Sequence, residues 1–209
     1  MTGEGEGRGT IGLGPGGASG ELAGLVQPFR LLARTRRLHG APRGHGSRVV
    51  VLPGHNFGDG TTAVLRRYLA GRGHDVSGWG LGRNDHDART MVQPMIAELD
   101  RRVDEGATGR AALVGQSLGG FLAREVARHR PDLVSRVITL GSPLYAPTSA
   151  LPITVPITAL WSRSDHVVPP GWTTDDGPTV ELVEVRSTHF AMGFDPDVWL
   201  VVADRLARA

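Results

Sequence analysis

Residues 115–119 read Gly-Gln-Ser-Leu-Gly, a pattern typical of a serine nucleophile held in a tight turn between a strand and a helix. Residues 110–114 are predicted to form the strand and residues 118–129 the helix. The backbone of Ser117 would be strained there, and its neighbours would come too close together for any side chain larger than glycine. The start of the helix would direct free N–H groups at the serine hydroxyl, where an oxyanion could form. The alternative is a glycine-rich turn with an incidental serine.

Two further residues could activate the serine hydroxyl, which is a weak nucleophile without a base. His189 follows a predicted strand at residues 179–185 and can serve as that base. Asp165 follows another predicted strand, residues 157–161, and can orient the histidine and stabilise its protonated form. The order Ser117, Asp165, His189 along the chain differs from the orders in chymotrypsin-like and subtilisin-like enzymes.

Each of these assignments has an alternative. Asp165 could instead cap a turn or a helix, and His189 could be an ordinary loop histidine. Other aspartates compete for the role of the acid, although none directly follows a predicted strand: Asp175, Asp176 and Asp195. His166, beside the acid, is expected to be exposed to solvent or to support the site without touching the substrate. The remaining histidines lack the paired spacing of metal ligands, so we expect neither a metal nor a cofactor.

The elements that must position these residues alternate between strands and helices. Apolar runs predict further strands at residues 48–52, 74–79 and 133–140, and helical periodicity predicts helices at residues 61–70, 88–103 and 196–206. This alternation predicts an α/β fold with a mostly parallel sheet and helices on both of its faces. Reactive groups in such sheets lie beyond the carboxyl ends of the strands, and Ser117, Asp165 and His189 all follow predicted strands.

Two backbone N–H groups must face the oxyanion of a tetrahedral intermediate. One is expected from Leu118, directly after the serine. The other is expected from residues 53–58, the loop after the first predicted strand, with His55 as the first choice and Asn56 as the second. Only the backbone of His55, and not its imidazole ring, is assigned to this role.

Length and composition limit the class of protein. A chain of 209 residues is long enough for one domain with a sizeable core, predicted at residues 48–209. The formal net charge of +2, with arginine as the only basic residue besides histidine, gives no electrostatic argument for nucleic-acid binding. The absence of cysteine excludes disulfides and thiolate metal sites. Neither a membrane-spanning run nor a signal peptide is apparent, so the expected location is cytoplasmic, with export left open.

The residues before this domain differ from it in composition. Residues 1–20 are glycine-rich and are predicted to be disordered. Residues 21–38 carry large apolar side chains at roughly helical spacing with arginines between them, and a glycine- and proline-rich linker follows to residue 47. Such a helix could contact a membrane surface weakly or lie on the outside of the domain. The second interpretation is favoured, because a peripheral helix with solvated arginines gives the same pattern.

Several segments, in the expected order, resemble bacterial lipase- and esterase-type serine hydrolases of the α/β-hydrolase fold. The segments that carry the resemblance are VVVLPGHNFGDG, HDVSGWGLGRN, LVGQSLGGFLAREVARHRPDLVSRVITLGSP, TALWSRSDHVVPP and STHFAMGFDPDVWLVVADRLA, and together they span about residues 48–208. The resemblance implies Ser117 as the nucleophile, Asp165 as the acid, His189 as the base and an oxyanion N–H group at His55. It does not indicate the substrate.

Many members of this fold insert a cap domain where this chain has only residues 144–155, which are too few for a helical lid. The site is therefore expected to be lidless, shallow and open. Apolar side chains available to line it, any of which could instead belong to the core, are Phe57, Leu144, Tyr145, Trp172, Phe190 and Met192. The predicted function is hydrolysis of a small-molecule or lipid-like carboxylic ester. The same residues would also suit an acyltransferase, a thioesterase, an amidase or a non-catalytic binding module.

Overall fold

Six parallel strands form one sheet at the centre of the protein. The computed structural model describes residues 35–144, 147–173 and 177–208. In chain order the strands are β1 (Arg48–Leu52), β2 (Asp75–Gly78), β3 (Ala111–Gln116), β4 (Val134–Leu140), β5 (Ile157–Trp161) and β6 (Val180–Glu184). Their order across the sheet is β2-β1-β3-β4-β5-β6, and every neighbouring pair is parallel. The predicted parallel sheet is confirmed.

Helices cover both faces of this sheet, as the alternating pattern predicts. The α-helices are α1 (Thr35–Gly40), α2 (Asp59–Gly71), α3 (Val92–Asp104), α4 (Leu118–His129) and α5 (Pro196–Leu206). One core cluster joins α1, α2 and α5 to one face, with Val49, Val51 and Val114 among its strand residues. The other joins α3 and α4 to the opposite face through Val50 and Leu113. Alternate residues of β1 and β3 therefore serve opposite cores, which explains their unbroken apolar sequences.

The predicted boundaries agree closely with the structure where the apolar pattern is strong, and less closely at the starts of α2 and α3. The bounds of β1, β5, α4 and α5 match their predictions. The helix predicted to begin at residue 88 begins at Val92 instead. Residues 87–91 form a turn, because the Asp87 carboxylate accepts a hydrogen bond from the Arg89 N–H and the Asp87 carbonyl accepts one from the Thr90 hydroxyl. Local polar contacts compete with helical ones at such a position.

Strand β2 lies on one side of β1, and the chain then crosses to form β3 on the other side of β1. Their register pairs Leu52 with Gly115 at the carboxyl ends of both strands. The loop after β1 and the turn containing Ser117 therefore emerge side by side. This is the switch point at which open α/β sheets place their ligands.

Part of the predicted organisation concerns residues outside the described ranges. The predicted disordered tail at 1–20 and the predicted helix at 21–38, up to residue 34, lie outside them. Residues 35–38 of the predicted helix are described and belong to α1, and Leu38 packs into the core beside α2 and α5. Within the described ranges, no helix is both long and apolar enough to cross a lipid bilayer.

Candidate active site

The turn that carries Ser117 has the strained backbone that its glycine spacing predicts. Ser117 adopts φ 50° and ψ −122°, a left-handed conformation that is rare for residues other than glycine. A Cβ atom added to Gly115 would collide with the backbone of Gly119, and one added to Gly119 would lie 2.5 Å from the Pro53 carbonyl oxygen. Gly120 contacts Ser142 so closely that it too has no room for a Cβ atom. Helix α4 can therefore begin directly beneath the serine hydroxyl.

The structure brings together the three residues proposed from the sequence. The Ser117 Oγ lies 3.1 Å from the Nε2 of His189, and the Nδ1 of the same imidazole lies 2.8 Å from the Oδ2 of Asp165. The imidazole ring is 3% exposed and the carboxylate is equally well buried. With Nδ1 donating to the carboxylate, Nε2 is left as the acceptor for the serine hydroxyl.

The loop after β5 fixes the orientation of the Asp165 carboxylate. Its Oδ1 accepts hydrogen bonds from the backbone N–H groups of Val167, at 3.0 Å, and Val168, at 2.8 Å. Its Oδ2 is thereby left to face His189. With the Nδ1–H group of His189, the carboxylate has three hydrogen-bond donors, and these bonds offset the free-energy cost of burying its charge. The side chain of Asp165 thus closes its own turn and also faces the histidine.

Among the rival acids, Asp195 is described and has a different role. Asp195 is the N-terminal cap of α5, where its Oδ1 accepts a hydrogen bond from the Asp197 N–H at 2.9 Å. Asp175 and Asp176 lie outside the described residues. His166 is exposed, as expected for a residue beside the acid.

Gly141, directly after β4, lies against the side chains of Asp165 and His189. Its φ is +54°, and a Cβ atom added there would lie 2.7 Å from Asp165 Oδ2 and 3.3 Å from His189 Nδ1. Any other residue at this position would push the two side chains apart. The sequence analysis did not assign a role to Gly141, although a glycine directly after a buried strand is a signal that could have indicated one.

The loop after β1 contains both residues considered as the second N–H donor to the oxyanion, His55 and Asn56. The Asn56 N–H donates to the Asn84 carbonyl at 2.7 Å, and the Phe57 N–H donates to the Gly54 carbonyl at 3.2 Å. Among the described residues, the N–H groups of His55 and Leu118 have no acceptor. Both residues line the same cleft beside Ser117. The geometry therefore favours His55 over Asn56 as the second donor to an oxyanion.

Asn84 holds this loop in place, a role that the sequence analysis missed. Its buried side chain donates from Nδ2 to the Pro53 carbonyl at 2.8 Å, and its backbone bonds to both Asn56 and Phe57. Ser162 similarly joins the loops that carry the acid and the base, because its Oγ accepts from the N–H groups of Ser164 and Ser187. Neither role could be predicted from a local sequence pattern, because each depends on a hydrogen bond between residues more than 20 positions apart in the chain.

A cleft of about 660 Å³ opens beside Ser117. Its described lining consists of His55, Asp85, His86, Asp87, Ala88, Arg89, Ser117, Leu118, Phe121, Pro143, Val167, Val168 and Trp172. Trp172 stands at its rim with 60% of its surface exposed. Between β4 and β5 the described residues contain no helix.

The apolar residues considered for substrate contact fall into different environments. Trp172 lines the cleft, and the backbone N–H of Leu144 donates to its carbonyl. Phe57 and Phe190 are exposed outside the described lining and pack edge to face, with their ring centroids 6.3 Å apart. Met192 is wrong as a substrate contact, because its side chain is completely buried in the core. Tyr145 lies outside the described residues.

The chain is similar to known esterases over more than half of its length. Residues 64–187 match the model of the Esterase family, described as "Putative esterase". Two curated relatives are a polyketide synthase, ThaQ, of Burkholderia thailandensis and a pimeloyl-[acyl-carrier protein] methyl ester esterase of Vibrio vulnificus. The first is 40% identical over 124 residues and the second 32% identical over 107 residues. These matches cover 57% and 50% of this chain but only 6% and 40% of the two relatives.

A solved structure shares the fold at low sequence identity. The monoacylglycerol lipase of Paleococcus ferrophilus superimposes with a TM-score of 0.62 at 15% identity. The match covers 80% of this chain and 96% of the lipase. The α/β-hydrolase fold suggested by the sequence motifs is confirmed.

Proposed function

The chain belongs to the Esterase family, and on this premise we propose that it hydrolyses carboxylic esters through an acyl-enzyme at Ser117. The observation that carries the proposal is the continuous chain of hydrogen bonds from the Ser117 hydroxyl through His189 to Asp165. It lies beside a cleft large enough for a substrate and next to two N–H groups that have no acceptor among the described residues. No other cluster in the described part of the chain combines these features.

In the first half of the reaction, the Ser117 oxygen attacks the carbonyl carbon of the ester while the hydroxyl proton moves to His189 Nε2. The carbonyl oxygen becomes an oxyanion and accepts hydrogen bonds from the N–H groups of Leu118 and His55. Collapse of this intermediate breaks the bond to the alcohol oxygen, which leaves with the proton from Nε2. Asp165 keeps the imidazole in the required tautomer and stabilises its cationic form throughout.

In the second half, water attacks the acyl group attached to Ser117. Nε2 of His189 accepts one proton of the water and returns it to the serine oxygen as the carboxylic acid is released. The same two N–H groups stabilise the second oxyanion. The start of α4 adds the positive end of its dipole at this point, because the helix begins directly after Ser117.

Thioester hydrolysis is a second candidate, supported by the names of the curated relatives. One is a polyketide synthase and the other acts on an ester attached to an acyl-carrier protein. A thiolate leaving group needs less help from the histidine than an alkoxide does, so the same residues suit both reactions. Transfer of the acyl group to an acceptor other than water, or cleavage of an amide, would likewise use Ser117, His189 and Asp165.

The experiment that tests the proposal compares hydrolysis of p-nitrophenyl esters, from acetate to palmitate, by the wild type and by Ser117→Ala. We expect turnover to fall by at least about 10³-fold, because the variant lacks the nucleophile. Ser135→Ala is the matched control and should keep wild-type activity, because Ser135 lies near the start of β4 whereas Ser117 follows the carboxyl end of the neighbouring strand β3. Both variants should keep the wild-type circular dichroism spectrum.

A fluorophosphonate probe gives an independent result, because it labels an activated serine without needing turnover. The wild type and Ser135→Ala should be labelled, and Ser117→Ala should not. Ester turnover by folded Ser117→Ala would overturn the assignment of the nucleophile. A wild type that neither hydrolyses esters or thioesters nor reacts with the probe would instead indicate a non-catalytic binding module.

A further inference from the structure

Two phenylalanine side chains next to the candidate active site are exposed to solvent. Phe57 belongs to the loop after β1 and Phe190 directly follows His189, and their side chains are 41% and 48% exposed. Three of the four aromatic side chains exposed in the described ranges lie around the site, namely these two and Trp172 at the cleft. Large apolar side chains that are exposed together often mark a binding surface.

The contacts of the two rings show where they lie relative to the reacting groups. The Phe190 ring is edge-on to the His189 imidazole, with the two ring centroids 5.3 Å apart. The Phe57 ring in turn packs against Phe190, with the centroids 6.3 Å apart and the planes nearly perpendicular. A Cβ atom added to Gly54 would lie 3.5 Å from Ser117 Cβ and 3.7 Å from Phe57 Cδ2. The aromatic pair, Phe57 and Phe190, therefore extends from the neighbourhood of the serine to the imidazole.

The backbone that carries the aromatic pair is held by hydrogen bonds. The Phe57 N–H donates to the Gly54 carbonyl at 3.2 Å, and the Phe57 carbonyl accepts from the Asn84 N–H at 2.8 Å. Beside Phe190, the Nε2 of Gln116 donates to the His189 carbonyl at 3.3 Å. A surface that is in place before its ligand arrives loses less conformational entropy on binding.

The proposed reaction determines which part of an ester meets the aromatic pair. The alcohol oxygen receives its proton from His189 Nε2, so it must come within hydrogen-bond distance of that atom. The carbonyl oxygen is held instead by the N–H groups of Leu118 and His55. The alcohol part of the substrate is therefore the part nearest the imidazole, which the Phe190 ring contacts. Neither phenylalanine is among the described residues that line the cleft, which leaves the cleft to the acyl part.

We propose that Phe57 and Phe190 bind the leaving group, and that the protein prefers esters of apolar alcohols, above all those that carry an aromatic ring. The proposal rests on the ester hydrolysis proposed above and adds the class of alcohol. An apolar alcohol covers exposed phenylalanine surface and so gains hydrophobic free energy. An aromatic ring gains more, because aromatic pairs attract each other beyond the effect of the area that they bury.

The apolar character of the aromatic pair also argues against a polar leaving group. A polar chain lying on the two rings would give up hydrogen bonds to water and find no replacement on the ring carbons. An apolar alcohol has one polar atom to satisfy, its own oxygen, and His189 Nε2 supplies that hydrogen bond. Between the two candidate reactions, the aromatic pair therefore favours an ester of a simple apolar alcohol over a thioester of a polar chain.

The test keeps the acyl group constant and changes only the alcohol. The substrates are the butyrate esters of benzyl alcohol, cyclohexylmethanol and 2-methoxyethanol, because these alcohols have similar acidity and differ in apolar surface. The quantity compared is kcat/KM, which covers binding and acylation only, since the alcohol has left before water attacks the acyl-enzyme. We expect the benzyl ester to exceed the 2-methoxyethyl ester about tenfold, the gain from burying roughly 50–60 Å² of apolar surface, with the cyclohexylmethyl ester between them. Ser117→Ala supplies the background rate.

Variants of the aromatic pair assign this preference to its two residues. Phe57→Ala and Phe190→Ala should each lower the benzyl to 2-methoxyethyl ratio of kcat/KM by at least about threefold, and the double variant should bring it close to one. A displaced His189 would slow both esters alike and leave their ratio unchanged, because the two alcohols need the same proton. The ratio between p-nitrophenyl octanoate and p-nitrophenyl butyrate should not change, because it reports on the acyl part.

Phe194→Ala is the matched control. Phe194 lies in the same short 3-10 helix, Phe190–Phe194, is also exposed, and takes part in neither of the two ring contacts. This variant removes an exposed phenylalanine ring close to the site and should keep both wild-type ratios. Circular dichroism should show the wild-type spectrum for every variant.

The outcomes separate this proposal from the one on which it rests. Turnover that depends on Ser117 but is equal for the benzyl and 2-methoxyethyl esters would overturn the alcohol proposal alone. A benzyl preference that survives in the double variant would overturn the assignment to the aromatic pair. A changed octanoate to butyrate ratio would do the same, because it would place the pair at the acyl part. Absence of any Ser117-dependent turnover or probe labelling would overturn both proposals.

Discussion

Single residues at this site are held in place by neighbours that do no chemistry themselves. Ser117 occupies a backbone conformation that costs about 1–3 kcal/mol, and it stays there because its N–H bonds to the Leu140 carbonyl at 2.9 Å. Its carbonyl in turn accepts the Gly120 N–H, also at 2.9 Å. Asn84 does the same for the loop that carries His55. The geometry of the candidate site thus depends on residues whose substitution would not remove any reacting group.

Replacement of Asn84 by aspartate should lower the catalytic rate more than substrate binding. The variant loses the Nδ2 donor to the Pro53 carbonyl and places a carboxylate oxygen against that carbonyl, so the loop must move. We expect kcat to fall about 10- to 100-fold with KM within about twofold, because an oxyanion N–H acts mainly in the transition state. Steady-state kinetics with a p-nitrophenyl ester measures both values.

Asn56→Asp is the matched control for this change. It makes the same chemical substitution in the same loop, but the Asn56 side chain is exposed and an aspartate tolerates its φ of 64°. It should alter kcat by less than about threefold. An Asn84→Asp protein that melts earlier than the wild type but keeps the wild-type kcat would show that Asn84 only stabilises the fold.

Among the elements, β1 and β3 carry loops of the site at their carboxyl ends, and α3 holds β2, which lies at one edge of the sheet. Arg102 of α3 donates to the Ser77 hydroxyl at 2.7 Å and to the Gly78 carbonyl at 2.9 Å, both in β2. Glu98, one turn earlier, holds the Arg102 guanidinium through an ion pair at 2.7 Å. This contact fixes the position of β2, and the segment 85–89 follows that strand.

Glu98→Gln should lower stability at neutral pH and lose its effect in acid. The hydrogen bonds from Arg101, and then those from Arg102, lower the pKa of Glu98 to about 2. A carboxylate with a depressed pKa stabilises the fold above its unfolded value of about 4.3, and this contribution is lost as the pH falls toward 2. We expect a loss of about 1 kcal/mol at pH 7 that becomes smaller between about pH 4.5 and 2.

Urea denaturation at pH 7, 5 and 3 measures this dependence. Glu105→Gln is the control, because Glu105 pairs with Arg101 on the exposed surface and should change the free energy of unfolding by less than about 0.5 kcal/mol at any pH. A difference between Glu98→Gln and the wild type that is constant down to pH 3 would show that the ion pair with the two arginines is not its cause.

At the scale of the whole molecule, α1 attaches the chain before β1 to the outside of the sheet. Leu38 is buried between α2 and α5, and the Arg72 guanidinium donates to the carbonyl groups of His39 and Ala41. The Tyr68 hydroxyl donates to the Leu38 carbonyl at 3.3 Å. These contacts concern residues 38–41, and the peripheral-helix interpretation of residues 21–38 stays a prediction.

Two truncated proteins should therefore behave differently from each other. A chain that begins at residue 35 should keep α1 and melt close to the wild type. A chain that begins at residue 43 loses Leu38 and should be destabilised by about 2–4 kcal/mol, the cost of an empty core position. Thermal denaturation measures both. Co-sedimentation with anionic vesicles should be weak for the full chain, and strong binding that disappears when residues 1–34 are removed would favour the membrane interpretation instead.

The sequence by itself determined the sheet, the order of its elements and the three residues that the structure brings together. It could do so because these features are local: apolar runs mark buried strands, and Ser117, Asp165 and His189 each follow such a run. The tertiary structure decided what depends on distant contacts. Met192 is buried, α3 begins at Val92, and the Asn56 N–H is hydrogen-bonded whereas that of His55 has no acceptor among the described residues. It also brought residues 85–89 and residues of the loops after β4 and β5 to one cleft, because residues far apart in the chain meet only once the strands are aligned.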